Sequence, residues 1–243
     1  MSGTTTLIIS DVHTHFQVIN LQILHAEKSG SCTVDQVFVL GDFGFFQDKL
    51  RDYFRKEGNK FLRPVACIEG NHEDHGALPD LARDYADAFT HIPRGTDYVM
   101  KPWRGLCIGG ASYMDAAITP RGAEILNSDI DRCLSHSPGS VDLILSHDCP
   151  GGIGVPGSAG MEHYGSPGED RLALLAERYR PRWWFFGHHH RWFDRDLDGT
   201  RYVGLPESWF GYALLHGDGE IQVVRHQVEK NARPWWKQWP GFK

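Results

Sequence analysis

No apolar run in this chain approaches the roughly 18–20 residues that a membrane-spanning helix needs, so none is expected. The N-terminal segment also lacks the basic and apolar regions of a secretion signal, and a cytoplasmic location is the expectation that follows. Positive charge is in deficit: 25 Lys and Arg stand against 31 Asp and Glu, a net charge of −6. That balance argues against a nonspecific nucleic-acid coat or an anionic-membrane surface. A phosphorylated substrate stays open, because bound cations would reverse the field locally. The five cysteines, at positions 32, 67, 107, 133 and 149, are odd in number and lack any CxxC spacing. Cys67 and Cys107 sit inside apolar runs and read as reduced core thiols, in keeping with a reducing compartment. Internal repeats and low-complexity segments are absent as well.

What is present is ordinary in bulk and unusual in pattern. With 243 residues, 41% of them apolar, the chain is long enough for one well-buried α/β core. Five short apolar runs each end in residues that can bind a metal. Leu7–Ile9 leads into Asp11-Val12-His13, Val37–Leu40 into Gly41-Asp42, and Val65–Ile68 into Gly70-Asn71-His72. Leu143–Leu145 leads into Ser146-His147, and Trp183–Phe186 into Gly187-His188-His189-His190. Continuously apolar runs separated by helical patterns read as buried strands of parallel-type sheets. In such sheets ligands gather outside the carboxyl ends of the strands. Asp, Asn and His are therefore expected on one rim, an oxygen and imidazole set suited to a pair of divalent metals.

Taken in order, these motifs resemble the calcineurin-like metallophosphoesterase superfamily, over about residues 7–225. Gly109-Gly110-Ala111-Ser112 and Ser146-His147-Asp148-Cys149-Pro150 are similar to a bacterial and phage subgroup of predicted phosphohydrolases. The resemblance implies an α/β fold, a two-sheet β-sandwich flanked by helices in four αββα layers. It would occupy residues 1–227, with 228–243 as an aromatic and basic tail. It implies two divalent ions per chain, manganese first, with iron, zinc or nickel as alternatives. Asp11, His13 and His190 would hold one ion, Asn71, His147 and His188 the other, and Asp42 would bridge them. A metal-bridging hydroxide would attack phosphorus directly, hydrolysing phosphomonoesters or small phosphodiesters. His72 would serve as a general acid rather than a ligand, oriented by Glu73 or Asp74.

The sequence departs from the protein Ser/Thr phosphatases of the superfamily, which carry G-D-x-x-D-R-G. Here Gly41-Asp42 is followed by Phe43-Gly44-Phe45-Phe46, so the second Asp and the Arg are missing, which argues against protein dephosphorylation. Arg121 is a candidate substitute phosphate clamp. Phe43, Phe45 and Phe46 read as core rather than a substrate wall, and His189 as a bystander. His15, His25, His75, His91, His136, His163, His216 and His226 likewise read as surface or core residues.

Elsewhere, helices are expected near 47–57, 77–88 and 122–134, and an amphipathic one around Leu172–Tyr179. Hairpins are expected around Pro102–Gly105, Asp198-Gly199 and Gly217–Gly219. Residues 150–168 hold seven glycines and three prolines, which excludes a regular element and suggests one wall of a substrate cleft. Trp235, Trp236, Trp239 and Phe242 alternate with Arg233, Lys237 and Lys243, a pattern that packs across its own domain or a partner subunit, or stacks single-stranded nucleic acid. The expected partner is a small phosphorylated substrate, with no membrane and with nucleic acid as a lesser alternative. A nuclease or cyclic-nucleotide phosphodiesterase is thus the second reading, and a metal-free scaffold protein the third. Filled ligand positions weigh against the third.

Overall fold

The computed structural model describes residues 3–30, 32–116, 119–157, 159–160 and 162–229. The aromatic tail falls almost wholly beyond them, so its expected packing lies outside the described residues. The first half of the chain alternates strand and helix. β1 (Thr5–Ile9), α1 (Gln17–Ser29), β2 (Gln36–Leu40), α2 (Gln47–Leu50), β3 (Val65–Ile68), α3 (Leu78–Asp84) and β4 (Thr90–His91) follow one another. α2 continues as π-helical turns through Arg51–Lys56. Next come β5 (Thr96–Met100), β6 (Trp103–Ile108), α4 (Asn127–Leu134), β7 (Leu143–Ser146), α5 (Ala173–Tyr179) and β8 (Trp183–Phe186). β9 (Phe193–Leu197), β10 (Thr200–Gly204), β11 (Gly211–His216) and β12 (Ile221–Arg225) close the described chain.

Two six-stranded sheets result, in the orders β12-β11-β1-β2-β3-β4 and β5-β6-β7-β8-β10-β9. In the first, β1 to β4 are parallel and β11 and β12 antiparallel; in the second, β6, β7, β8 and β10 are parallel, edged by antiparallel β5 and β9. The expected hairpins all form, at β5–β6, β9–β10 and β11–β12. The continuous burial of the five runs has a direct cause, since both faces of each sheet are covered. Ile8, Phe38 and Ile68 meet Leu145, Phe185 and Val203 between the sheets. Leu7, Val37 and Val39 face α1 and α3 on one outer side, while Ile144, Trp184 and Phe186 face α4 and α5 on the other. This is the four-layer αββα sandwich.

Two helices are shorter than their patterns suggested. α3 ends at Asp84, and residues 85–88 continue only as turns. α4 starts at Asn127 because Ala111 and Glu124 form a bridge and Ile125 N–H donates to the Ala111 carbonyl, which holds the preceding segment extended. Phe43 and Phe45 are fully buried against Phe16 and Phe89, in the core as expected. Val228 still belongs to that core, and its amide donates to the Trp209 carbonyl at 2.8 Å.

Candidate metal centre

The carboxyl ends of the parallel strands lie on one rim, and backbone hydrogen bonds beyond the strands lace their loops together. Asp11 N–H donates to the Gly41 carbonyl, His13 N–H to Asp42 and Gly187 N–H to His147. The seven expected ligands meet there. His190 Nε2 is 3.1 Å from Asp11 Oδ1, and His13 Nε2 is 3.4 Å from His190 Nε2. His13 Nε2 also lies 3.8 Å from both Asp11 Oδ1 and Asp42 Oδ2. On the other side of Asp42, His147 Nε2 stands 3.6 Å from Asp42 Oδ1 and 3.0 Å from Asn71 Oδ1. The His188 ring lies 5.0 Å from that of His147.

Asp11 and His13 do not continue the extended strand that precedes them. Both adopt left-handed backbone, with φ of 54° and 47°, as do Asp42 (48°), His188 (63°) and His190 (51°). Asp, Asn and His tolerate this region better than most residues, but each such position costs on the order of 1–3 kcal/mol and persists where surrounding structure fixes it. Five of seven candidate ligands in one strained conformation mark a site selected for geometry rather than for backbone ease.

Two glycines show how close the parts come. A Cβ on Gly41, whose φ is +92°, would sit 2.3 Å from His147 Nδ1; one on Gly70 would sit 2.0 Å from Asp42 Oδ1. Side chains are thus excluded where the ligands need the room.

The fit to cations rests on the protonation pattern and on one orphaned atom. Asp42 is buried, its Oδ1 accepts the His72 amide at 2.8 Å, and its Oδ2 has no hydrogen-bond partner. An uncompensated buried carboxylate oxygen is costly, and a metal removes the cost. His147 Nδ1 donates to the Leu40 carbonyl at 2.7 Å, which leaves the Nε2 lone pair aimed at the centre. Burial pushes the His188 imidazole down to about 4, so it faces the site neutral. Burial alone would raise Asp11, but the His190 hydrogen bond and the nearby His147 hold it below the ordinary carboxylate range. His190 is raised in turn, chiefly by that same hydrogen bond.

His72 is exposed and does not join the ligand group; its ring lies 5.5 Å from that of His13 and it lines a cavity of about 1550 Å³. The glycine-rich segment walls this cavity through Gly152, Val155, Gly157 and Pro167, as expected. Arg121 is not brought to the site: it is exposed and does not line the cavity. Glu73 does not orient His72. Its carboxylate accepts the amides of Phe43, Gly44 and Phe45 at 2.6–3.0 Å and so shapes the loop that carries Asp42. Asp74 instead caps the Ala77 amide. His189 is no bystander: its Nε2 is 3.0 Å from Asp148 Oδ1 and 3.2 Å from Cys149 Sγ.

Sequence reasoning missed Glu69 and Arg94. Buried Glu69 pairs with Arg94 Nε at 2.5 Å and His91 Nε2 at 2.8 Å, and Arg94 also donates to the Gly122 and Glu124 carbonyls. This network fixes the start of the Gly70–Glu73 loop. Only Glu69, adjacent to that motif, offered a hint.

The calcineurin-like phosphoesterase profile matches residues 4–192. No curated protein matches the sequence. Among solved structures, TT1561 of Thermus thermophilus is similar at 13% identity and a TM-score of 0.59, covering 92% of this chain and 99% of that one. A 5′-nucleotidase structure from Staphylococcus aureus, itself assigned that name provisionally, aligns at 14% identity and a TM-score of 0.56, over 93% of this chain and 54% of its own. GAP50 of Plasmodium aligns at 12% identity and a TM-score of 0.57, over 93% and 85%. At these identities the likeness shows the fold alone. With the family profile spanning most of the sandwich and its rim, the chain belongs to the calcineurin-like phosphoesterase family, metal-dependent hydrolases of phosphate esters.

Proposed function

We propose that the chain hydrolyses small phosphomonoesters or phosphodiesters with two divalent ions. The supporting observation is the buried Asp42 Oδ2 without a hydrogen-bond partner, beside the converging donor atoms of Asp11, His13 and His190 and of Asp11, Asp42 and His147. Asp11, His13 and His190 would hold one ion and Asn71, His147 and His188 the other, with Asp42 between them. Bound there, the ions would supply Lewis-acid polarisation of the phosphoryl oxygens and a lowered pKa for water. An oxygen and imidazole set without thiolate suits manganese, and tolerates iron, zinc or nickel.

The protein's own groups perform the rest. Asp42 and Asp11 would bring two negative charges, offsetting half of the charge of two divalent cations. The Leu40 carbonyl keeps His147 in the tautomer that presents Nε2. His72, exposed and lining the cavity, would donate a proton to the departing alkoxide, a role worth about 10²–10⁴-fold. The cavity receives the leaving group, and Arg171 in its wall is committed to Glu169, Asn127 and the Ile125 carbonyl. That arrangement favours a compact phosphoester over a polyanionic strand. The test is hydrolysis of an aryl phosphate by metal-free protein before and after addition of Mn²⁺. Activity that appears with the metal and vanishes on chelation supports the reading; equal activity in both states contradicts it.

A further inference from the structure

Beyond the seven ligands, the rim holds a second kind of donor set. We propose that Asp148, Cys149 and His189 form a third metal site, for a borderline divalent ion such as zinc or cobalt, sharing no ligand with the dinuclear centre. β7 delivers His147 to that centre, and the next two residues, Asp148 and Cys149, have no solvent exposure. His189, set between His188 and His190, reaches them from the loop after β8. Its Nε2 lies 3.0 Å from Asp148 Oδ1 and 3.2 Å from Cys149 Sγ.

The Cys149 sulfur is surplus to the ordinary hydrogen bonding of this group. One imidazole nitrogen carries at most one proton or one lone pair, yet a carboxylate oxygen and a sulfur both approach it at close range. A tetrahedral zinc with bonds of about 2.0–2.1 Å to nitrogen and oxygen and about 2.3 Å to sulfur would separate its ligands by about 3.3 and 3.6 Å. The observed spacings lie a few tenths of an ångström inside those values. They are slightly shorter than in the Asp11, His13 and His190 group, where the corresponding separations run from 3.1 to 3.8 Å.

The surroundings are those of a supported ligand. Ser112 donates both its amide and its hydroxyl to Asp148 Oδ2 at 2.9 Å, and the Cys149 amide donates to Oδ1 at 2.7 Å. Such outer hydrogen bonds orient a ligating carboxylate. One carboxylate, one thiolate and a neutral imidazole would cancel the charge of a divalent ion, which suits a buried position. His189 lines the cavity, the side from which an ion and a water ligand would enter. A thiolate with nitrogen and oxygen donors selects zinc or cobalt over the harder manganese. The ion would tie the end of β7 to the loop carrying His188 and His190.

Cobalt substitution tests this without relying on activity. The dinuclear ligands include no sulfur, so a thiolate-to-cobalt charge-transfer band in the near ultraviolet reports Cys149 directly. Metal-free full-length protein is titrated with Co²⁺, and the band is expected in wild type and in Asp42→Asn. It is expected to vanish in Cys149→Ser, with one bound ion fewer per chain by elemental analysis. Absence of the band in wild type at saturating Co²⁺ overturns the proposal and needs no variant to fold. A band that survives Cys149→Ser also overturns it, since another cysteine would be the ligand. A band lost in Asp42→Asn overturns the site's independence. If wild type shows the band but no paired ions, the dinuclear reading fails and this one stands.

Discussion

His13 and His190 face each other through their Nε2 atoms at 3.4 Å, beside Asp11 Oδ1 and on the same side as Asp42 Oδ2. Two imidazole nitrogens and two carboxylates directed at one small volume are stable together only when something positive sits among them, either protons or a cation. The same crowding recurs across Asp42 at Asn71 and His147. Much of the behaviour of the site follows from what fills these two volumes.

Asp42→Asn is predicted to act in opposite directions with and without metal. In metal-free protein the change removes a buried carboxylate whose Oδ2 has no hydrogen-bond partner, so stability should rise, by about 1–3 kcal/mol. In metal-loaded protein it removes the shared ligand, so stability and bound metal should fall. Activity should drop by more than the roughly 10–100-fold typical of losing an outer hydrogen bond to a ligand. Thermal unfolding with chelator and with Mn²⁺ checks the reversal of sign; a loss of stability in both states would show that Asp42 is chiefly structural.

His72→Ala is predicted to keep its metals and lose turnover, by about 10²–10⁴-fold for poor leaving groups. The loss should shrink for p-nitrophenyl esters, whose leaving group hardly needs a proton. Comparing kcat across esters of graded leaving-group pKa, with metal content measured alongside, separates the roles. Equal losses throughout would make His72 a positioning group, and loss of metal would make it a ligand.

Gly70→Ala is predicted to fold and to lose activity about 10²-fold or more, since displacing a reacting arrangement by about 1 Å has that effect. The added Cβ would meet Asp42 Oδ1 at 2.0 Å, so the carboxylate must move. Metal affinity and kcat of this variant, set against an unchanged circular dichroism spectrum, give the check. Wild-type affinity would mean that Asp42 has more room than the geometry shows.

The Glu69 network is predicted to make stability acid-sensitive independently of metal. Burial alone would raise the Glu69 carboxyl, but the His91 hydrogen bond and the Arg94 charge bring it down to about 2 from an ordinary 4.5. A depressed carboxyl stabilises the fold above its unfolded pKa, and that contribution is lost as pH falls from about 4.5 through about 2. The shift corresponds to about 3 kcal/mol at neutral pH. Urea unfolding of chelated wild type and Glu69→Gln at pH 7 and near pH 3 should show a gap that narrows in acid. A gap independent of pH would assign the loss to packing.

The fold and the convergence of the candidate ligands on one rim were legible in the sequence because both depend on local pattern. β1, β2, β3, β7 and β8 are apolar without interruption since both faces are covered, and each ends at the rim where Asp11, Asp42, Asn71, His147 and His188 stand. What stayed illegible depends on contacts between distant segments. Nothing near Glu73 indicates that its carboxylate serves amides some thirty positions earlier. His189 alternates with two ligands and looks spare until Asp148 and Cys149 arrive from another strand. Arg121 drew attention only as a cation in a polar stretch, and the fold leaves it outside the cavity. The left-handed backbone of five candidate ligands is likewise a tertiary imposition.

The most direct test is anomalous X-ray scattering from crystals grown in Mn²⁺. Two peaks are predicted, one among Asp11, His13 and His190 and one among Asn71, His147 and His188, with Asp42 reaching both. A single peak, or a pair in which Asp42 touches neither ion, would contradict the dinuclear account.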